Sequence, residues 1–279
     1  MQKKIKSILF ATCLSITSMD VLALMCTDNP SQNVVLANNY ILKVDDFIDT
    51  PAKGIKQETR TLQYNNGLMA KQIIDYDEKG LFTQSQYDLY LKNNQLDYTE
   101  SLQKKDFGWQ TIIENQSDKT HTIINFKVDA QGKIIESEQI KKSDDFVFSQ
   151  NDSYQFDNNN CLVRKQITWK IEDVEAKHNN NVDSPKGDST YTFTYENQHL
   201  RDVSYNSTGR TSRMDHYSYL FDHLQRLKEI KLNTLSADAK YGTVITEFSG
   251  LNDKNDWLHA TVSLQNVNQL TTVRTITYY

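Results

Sequence analysis

The stretch Asp75–Gln95, DYDEKGLFTQSQYDLYLKNNQ, decides the fold class of this chain. Within it, Tyr76-Asp77-Glu78-Lys79-Gly80 puts an Asp at the head of a type I turn, where its carboxylate accepts hydrogen bonds from the turn's own amides. Gly80, three residues on, supplies the positive φ that closes a bulged hairpin. The same grammar stands at Asp129–Gly132 (DAQG), Asp157–Asn160 (DNNN) and Asn206–Gly209 (NSTG). Weaker copies occupy Glu196–His199, Asp222–Gln225 and Asp253–Asp256. The chain has only nine Gly and three Pro, so Asn, which tolerates the left-handed region, does much of the turning.

The residues ahead of each turn alternate with period two, which places one face of a strand inside. The inward pairs are Ile74 and Tyr76, Phe126 and Val128, Tyr154 and Phe156, Phe193 and Tyr195, and Tyr219 and Phe221. An aliphatic re-enters after the turn, at Ile134, Leu162, Leu227 or Leu258. Between turns, QITWKIE points Ile167, Trp169 and Ile171 inward, and TYTFTYE does the same with Tyr191, Phe193 and Tyr195. The polar run His178–Ser189 reads as an inserted loop. Helical period is almost absent beyond the N-terminus, so the expected fold is an all-β antiparallel meander of repeated hairpins.

The N-terminus reads as an export signal over residues 1–23: Lys3, Lys4 and Lys6, then a short apolar run from Ile8 to Met19, then small residues at Val21–Ala23. Residues 24–57 lack the strand pattern and are expected to form an extended lead-in, leaving 58–279 as one β domain. Cleavage near Ala23 is favoured over a lipid anchor at Cys26, because ALMC lacks a small residue before the Cys. The mature chain keeps Cys26 and Cys161; in an oxidising compartment this even pair suggests a disulfide, with two isolated buried thiols as the alternative. The net charge of -5, with both signs interspersed and no basic stripe, disfavours a nucleic-acid partner. No later apolar run is long enough for a membrane-spanning helix.

With these residues laid out, the chain resembles the YD-repeat (RHS-like) family of secreted bacterial proteins. YDEKGLF, VDAQGKI, FDNNNCL, YNSTGRT and FDHLQRL stand in for the repeat, aromatic-Asp-x-x-Gly-Arg/Asn-Leu, though several lack its Gly and their spacing is irregular. The C-terminal segment is similar to the family's ending, through Asp253, Asp256, Trp257, Arg274, Thr275, Ile276, Tyr278 and Tyr279. The chain is too short for the closed cocoon of large toxin-carrying relatives. The resemblance therefore implies a curved open sheet or partial barrel.

No motif for nucleophilic, metal-assisted or phosphate chemistry occurs in the sequence. His216 and His223, beside Asp215 and Asp222, fall at opposite parity and read as exposed turn histidines. The repeated Asp residues read as turn caps rather than calcium ligands, and no cofactor is expected. Rings out of phase with the repeat, Tyr87 or Tyr90, Trp109 and Tyr241, are the candidates for stacking a sugar. The expectation is a non-catalytic periplasmic or secreted protein that presents a binding surface to another envelope or secreted protein. An immunity-like partner of a secreted toxin and a glycan-binding module are the alternatives.

Overall fold

The computed structural model of the chain describes residues 24–42, 54–173, 185–207, 212–236, 242–265 and 267–279. The signal-peptide reading, most of the His178–Ser189 loop, Gly209 and Tyr241 lie outside these. One helix, α1 (Pro30–Leu42), precedes β1 (Ile55–Tyr64), β2 (Met69–Tyr76), β3 (Phe82–Tyr90), β4 (Leu96–Lys105) and β5 (Gly108–Asn115). The meander continues through β6 (Thr120–Val128), β7 (Ile134–Lys142), β8 (Phe146–Phe156), β9 (Leu162–Asp173), β10 (Lys186–Glu196) and β11 (His199–Ser207). It ends with β12 (Arg213–Phe221), β13 (Leu227–Ser236), β14 (Thr243–Ser249), β15 (His259–Leu264) and β16 (Val267–Tyr278).

Every strand pairs antiparallel with its sequence neighbours, and β1 pairs with β16, so the sheet is a closed barrel. This corrects the expectation of a curved open sheet or partial barrel. The seam is a full ladder, with Glu58 opposite Ile276, Arg60 opposite Arg274 and Leu62 opposite Thr272. Sheet twist accumulates from strand to strand, and closure removes the two edges that an open meander would leave to aggregate.

The turns that follow even-numbered strands all lie at one end of the barrel. Most of the sequence-readable turns are among them. Asp77 Oδ1 accepts from the amides of Lys79 (2.9 Å) and Leu81 (3.0 Å), and Gly80 has φ +83°. Asp129, Asp157 and Asp222 repeat this geometry, with Gly132, Asn160 and Gln225 in the left-handed position. After each of these turns the ladder slips by one residue, giving a bulge that pairs Tyr76 with Phe82 and Val128 with Ile134. Three turn assignments are corrected. Asn252, not Asp253, caps the turn before β15, because its side chain accepts from Lys254 and Asp256 and Asn255 takes the positive φ. Asn206 lies inside β11. At Glu196–His199 the turn is a tight one, with Asn197 and Gln198 both at positive φ, so no acidic cap is used.

The lead-in is not extended throughout. Asn29 caps a helix, its Oδ1 accepting from Ser31 (3.1 Å) and Gln32 (3.3 Å), and Pro30 stands in the first turn where its missing N–H costs nothing. The β domain then begins at Ile55, slightly ahead of the expected boundary at residue 58.

Period two separates two unlike faces. Inward residues near the even-turn end are sealed and, apart from Glu58, Arg60 and Arg274, mainly apolar, among them Ile74, Phe82, Ile134, Leu162, Leu200 and Ile230. Outward residues are mainly polar on every wall: Gln57, Thr59, Thr61 and Gln63 on β1, Thr99, Ser101, Gln103 and Lys105 on β4, and Arg164, Gln166, Thr168 and Lys170 on β9. Outward apolar side chains form only small cross-strand groups, Ile112, Ile123 and Ile140 across β5–β7, Met69, Tyr90 and Leu96 across β2–β4, and Met214 with Leu235 on β12 and β13.

Candidate functional site

The site is the lumen with its two ends. At the even-turn end, Met25 bridges to His199, and Leu24 and Cys26 exchange backbone hydrogen bonds with Leu200 and Gln198 (2.8 Å each). Cys26 is disulfide-bonded to Cys161 at the β8–β9 turn, with Cα atoms 5.4 Å apart. Asp157 lies beside the two sulfurs, but bonded to one another they do not form a metal site. From there α1 crosses the mouth of the barrel.

Asparagines of α1 dock the hairpins through their backbone. Asn39 donates to the Gly80 carbonyl (2.7 Å) and accepts from the Phe82 amide (3.0 Å). Asn38 repeats the clamp one hairpin set away, on the Gly132 carbonyl (2.7 Å) and the Ile134 amide (2.9 Å). Asn33 donates to the Asn159 carbonyl (2.8 Å) and holds Thr27 through its own oxygen. Leu36, Ala37 and Leu42 seal the apolar layer below. This end of the barrel is capped.

A buried ion network reinforces the seam near the cap. Glu58 accepts from Arg274 through both oxygens (2.7 and 2.8 Å), from Arg60 (3.0 Å) and from the Tyr76 hydroxyl (2.7 Å). Arg274 and Arg60 also lie over the Trp257 ring, at 4.5 and 5.8 Å. Burial alone would raise the Glu58 carboxyl, but the two guanidiniums outweigh it and hold its pKa at about 2. The same burial and the adjacent carboxylate push the Tyr76 phenol up.

Midway along the lumen the wall turns polar. Lys165 pairs with Asp152 at 2.8 Å, Gln150 donates to the other oxygen of Asp152 (2.9 Å), and Tyr154 hydrogen-bonds both Asp152 and Ser137. Asp215 receives Arg213 and Thr234 in the same way. Towards the odd-turn end of β7–β9 inward side chains become half-exposed: Gln139, Lys141, Phe148, Gln150, Trp169 and Ile171 all meet solvent, whereas Leu62, Ala70, Thr122 and Val244 at that end of other strands stay buried. This end is open along β7–β9. On the outside, β6–β10 form a polar concavity of about 520 Å³ edged by Glu136, Glu138, Asp188 and Lys127.

The proposed sugar-stacking rings are placed otherwise. Trp109 is sealed, its indole N–H donating to the Phe82 carbonyl (3.1 Å), and Tyr87 faces the lumen wall with its hydroxyl on Tyr64 (3.0 Å). Tyr90 alone of the described candidates is out of the core. His216 points outward on β12 and pairs with Asp202 at 2.7 Å, while His223 sits in an exposed turn, so the two are not brought together. Asp77, Gly80, Asp129, Gly132, Asp157, Asn160 and Asp222 converge on one rim, and Trp257 packs beneath it. Sequence reasoning missed α1 with Asn33, Asn38 and Asn39, the Glu58 network, and the open-end rings. A run of four residues, Asn29-Pro30-Ser31-Gln32, carried the helix signal.

No family model matches the chain, and no curated protein matches it. Among solved structures it is similar to a porin-like protein from Bacteroides uniformis, with 11% identity over 82% of this chain and 98% of that one, at a TM-score of 0.47. A porin-like protein from Bacteroides vulgatus gives 12% identity over 79% and 97%, at 0.42.

Proposed function

We propose that this chain is an exported bacterial envelope or secreted protein that remains in water and acts by non-catalytic binding, presenting its surface and open lumen to another envelope or secreted component. The observation that carries this is the outward face. A membrane-embedded barrel needs a continuous apolar band about 25 Å tall flanked by aromatic girdles. Here Thr, Gln, Lys and Glu occupy that height on strand after strand, and the apolar residues fill the interior under the cap. The Cys26–Cys161 disulfide fits an oxidising compartment. The YD-repeat likeness is, on this reading, a likeness of turns: one Asp-headed turn serves two strands.

Fractionation tests the reading. The full chain, expressed in a Gram-negative host, is expected in the osmotic-shock or culture fraction and in buffer without detergent. Retention in carbonate-washed membranes would overturn it. Crosslinking of the exported protein then identifies the component it meets; a co-encoded toxin there would favour the immunity reading, to which the acidic edge of the outer concavity is suited.

A further inference from the structure

The geometry points to an oligosaccharide-binding platform inside the open mouth of the barrel, built by Trp169 and Phe148 over Gly187. It deepens the reading of the chain as a binding protein and rests on it. Trp169 stands opposite Gly187 on one side and Gln150 on the other, and Phe148 stands opposite Ile171 and Lys141, so all share the lumenal face of β7–β10. A Cβ on Gly187 would meet Cζ2, Cε2 and Nε1 of Trp169 at 2.8, 2.9 and 3.0 Å. Three contiguous ring atoms at nearly one distance mean that the indole lies face-on over the glycine. Its other face is turned to the lumen.

The Phe148 ring continues this surface. It is inclined by 26° to the indole with centroids 6.4 Å apart, an offset stack in which the two rings overlap only in part. The result is a stepped apolar surface made of two offset rings. Both rings are half-buried, in contrast to Trp109 and Trp257, which are 2% and 3% exposed. Tryptophan is otherwise spent on sealing the core in this chain.

Polar groups with uncommitted atoms among the described residues edge the shelf. Gln150 uses its amide N–H on Asp152 and keeps its carbonyl oxygen free, and Gln139, its cross-strand neighbour, makes no side-chain hydrogen bond among the described residues. Lys141, beside Phe148, is likewise uncommitted. Flat rings stack on the C–H faces of a pyranose, amides meet its hydroxyls, and one ammonium suits a uronate or phosphate substituent. A lipid chain would need no such amides, and a nucleic acid would need more cations.

Tryptophan fluorescence reads this site directly, because Trp169 is the one half-exposed indole of the three in the chain. Chitotetraose, cellotetraose and tetragalacturonate serve as probes, with acrylamide quenching and calorimetry as readouts and dodecyl maltoside at submicellar concentration as the acyl-chain control. At least one tetrasaccharide is expected to bind and to shield the indole from acrylamide. Phe148→Ala and Trp169→Ala should each weaken it about tenfold or more, and Trp169→Phe should retain most of it. Melting temperature checks that each variant is folded, and Lys141→Ala should weaken only the uronate. Binding by none of the three sugars, or binding that both alanine variants preserve, would overturn the platform. So would competition by the dodecyl chain alone. These outcomes leave the fractionation result untouched, so the two readings fail separately.

Discussion

The two ends of the barrel are made from the same strands and differ in almost everything else. At the capped end inward side chains are sealed, the turns headed by Asp77, Asp129, Asp157, Asp222 and Asn252 share one geometry, and helix α1 hydrogen-bonds hairpin backbone through Asn33, Asn38 and Asn39. At the open end the inward residues of β7–β9 are polar, aliphatic or aromatic side chains that meet solvent, although Leu62, Ala70 and Val244 stay buried on other strands, and no described element crosses the mouth. Stability therefore belongs to one end, and the freedom to meet a ligand belongs to the other. A barrel of many strands encloses more space than its own side chains fill, so a plug at one mouth substitutes for a full core.

That contrast should break first at Glu58. Glu58→Gln leaves Arg60 and Arg274 buried without a counter-charge, and we expect a loss of roughly 3–5 kcal/mol in urea unfolding, or failure to fold. Acid should act through the same group. Because its folded pKa, about 2, lies below the ordinary 4.5, its contribution is whole above about pH 4.5 and is lost as pH falls towards 2. By the size of that shift the loss should be roughly 3 kcal/mol, read as a falling urea midpoint between those pH values.

Next in size is the tether. Cys26→Ser with Cys161→Ser opens a loop of 135 residues and should cost about 2–4 kcal/mol, and melting of the double variant should no longer respond to reductant. Asn39→Ala should cost about 1–3 kcal/mol, since it strands the Gly80 carbonyl and the Phe82 amide under the cap. A Cβ at Gly132 would meet no atom within 4 Å, but Gly132→Val must hold φ near +80°, so backbone strain should cost on the order of 1–2 kcal/mol. At the open end Gln139→Ala and Lys141→Ala should each change stability by no more than about 0.5 kcal/mol. A large loss there would show that the open mouth is packed after all.

Much of the capped end was legible because its signals are local. An Asp with Gly or Asn three residues later, and alternation ahead of it, need only one hairpin to be understood, as at Asp77–Gly80 and Asp129–Gly132. Closure was not legible. The β1–β16 ladder joins residues more than two hundred positions apart, such as Arg60 and Arg274, and no local pattern specifies that pairing. Helix α1 escaped because its buried face includes Asn33, Asn38 and Asn39, which bind hairpin backbone and erase the apolar stripe that marks an amphipathic helix. At the open end the inward phase of Trp169 was read correctly, but parity says only that a ring faces in, not whether a core or a lumen awaits it.

The most direct test of the account is native-state hydrogen exchange resolved to individual amides at both ends. The Phe82, Ile134 and Leu200 amides, held by Asn39, Asn38 and Leu24 under the cap, should exchange only on global unfolding. The amide of Gln116 in the β5–β6 turn and that of Phe146 at the start of β8, at the open end, should exchange through local opening at much lower free energy. Equal protection at both ends, or faster exchange at Phe82 and Ile134, would contradict a barrel capped at one mouth and open at the other.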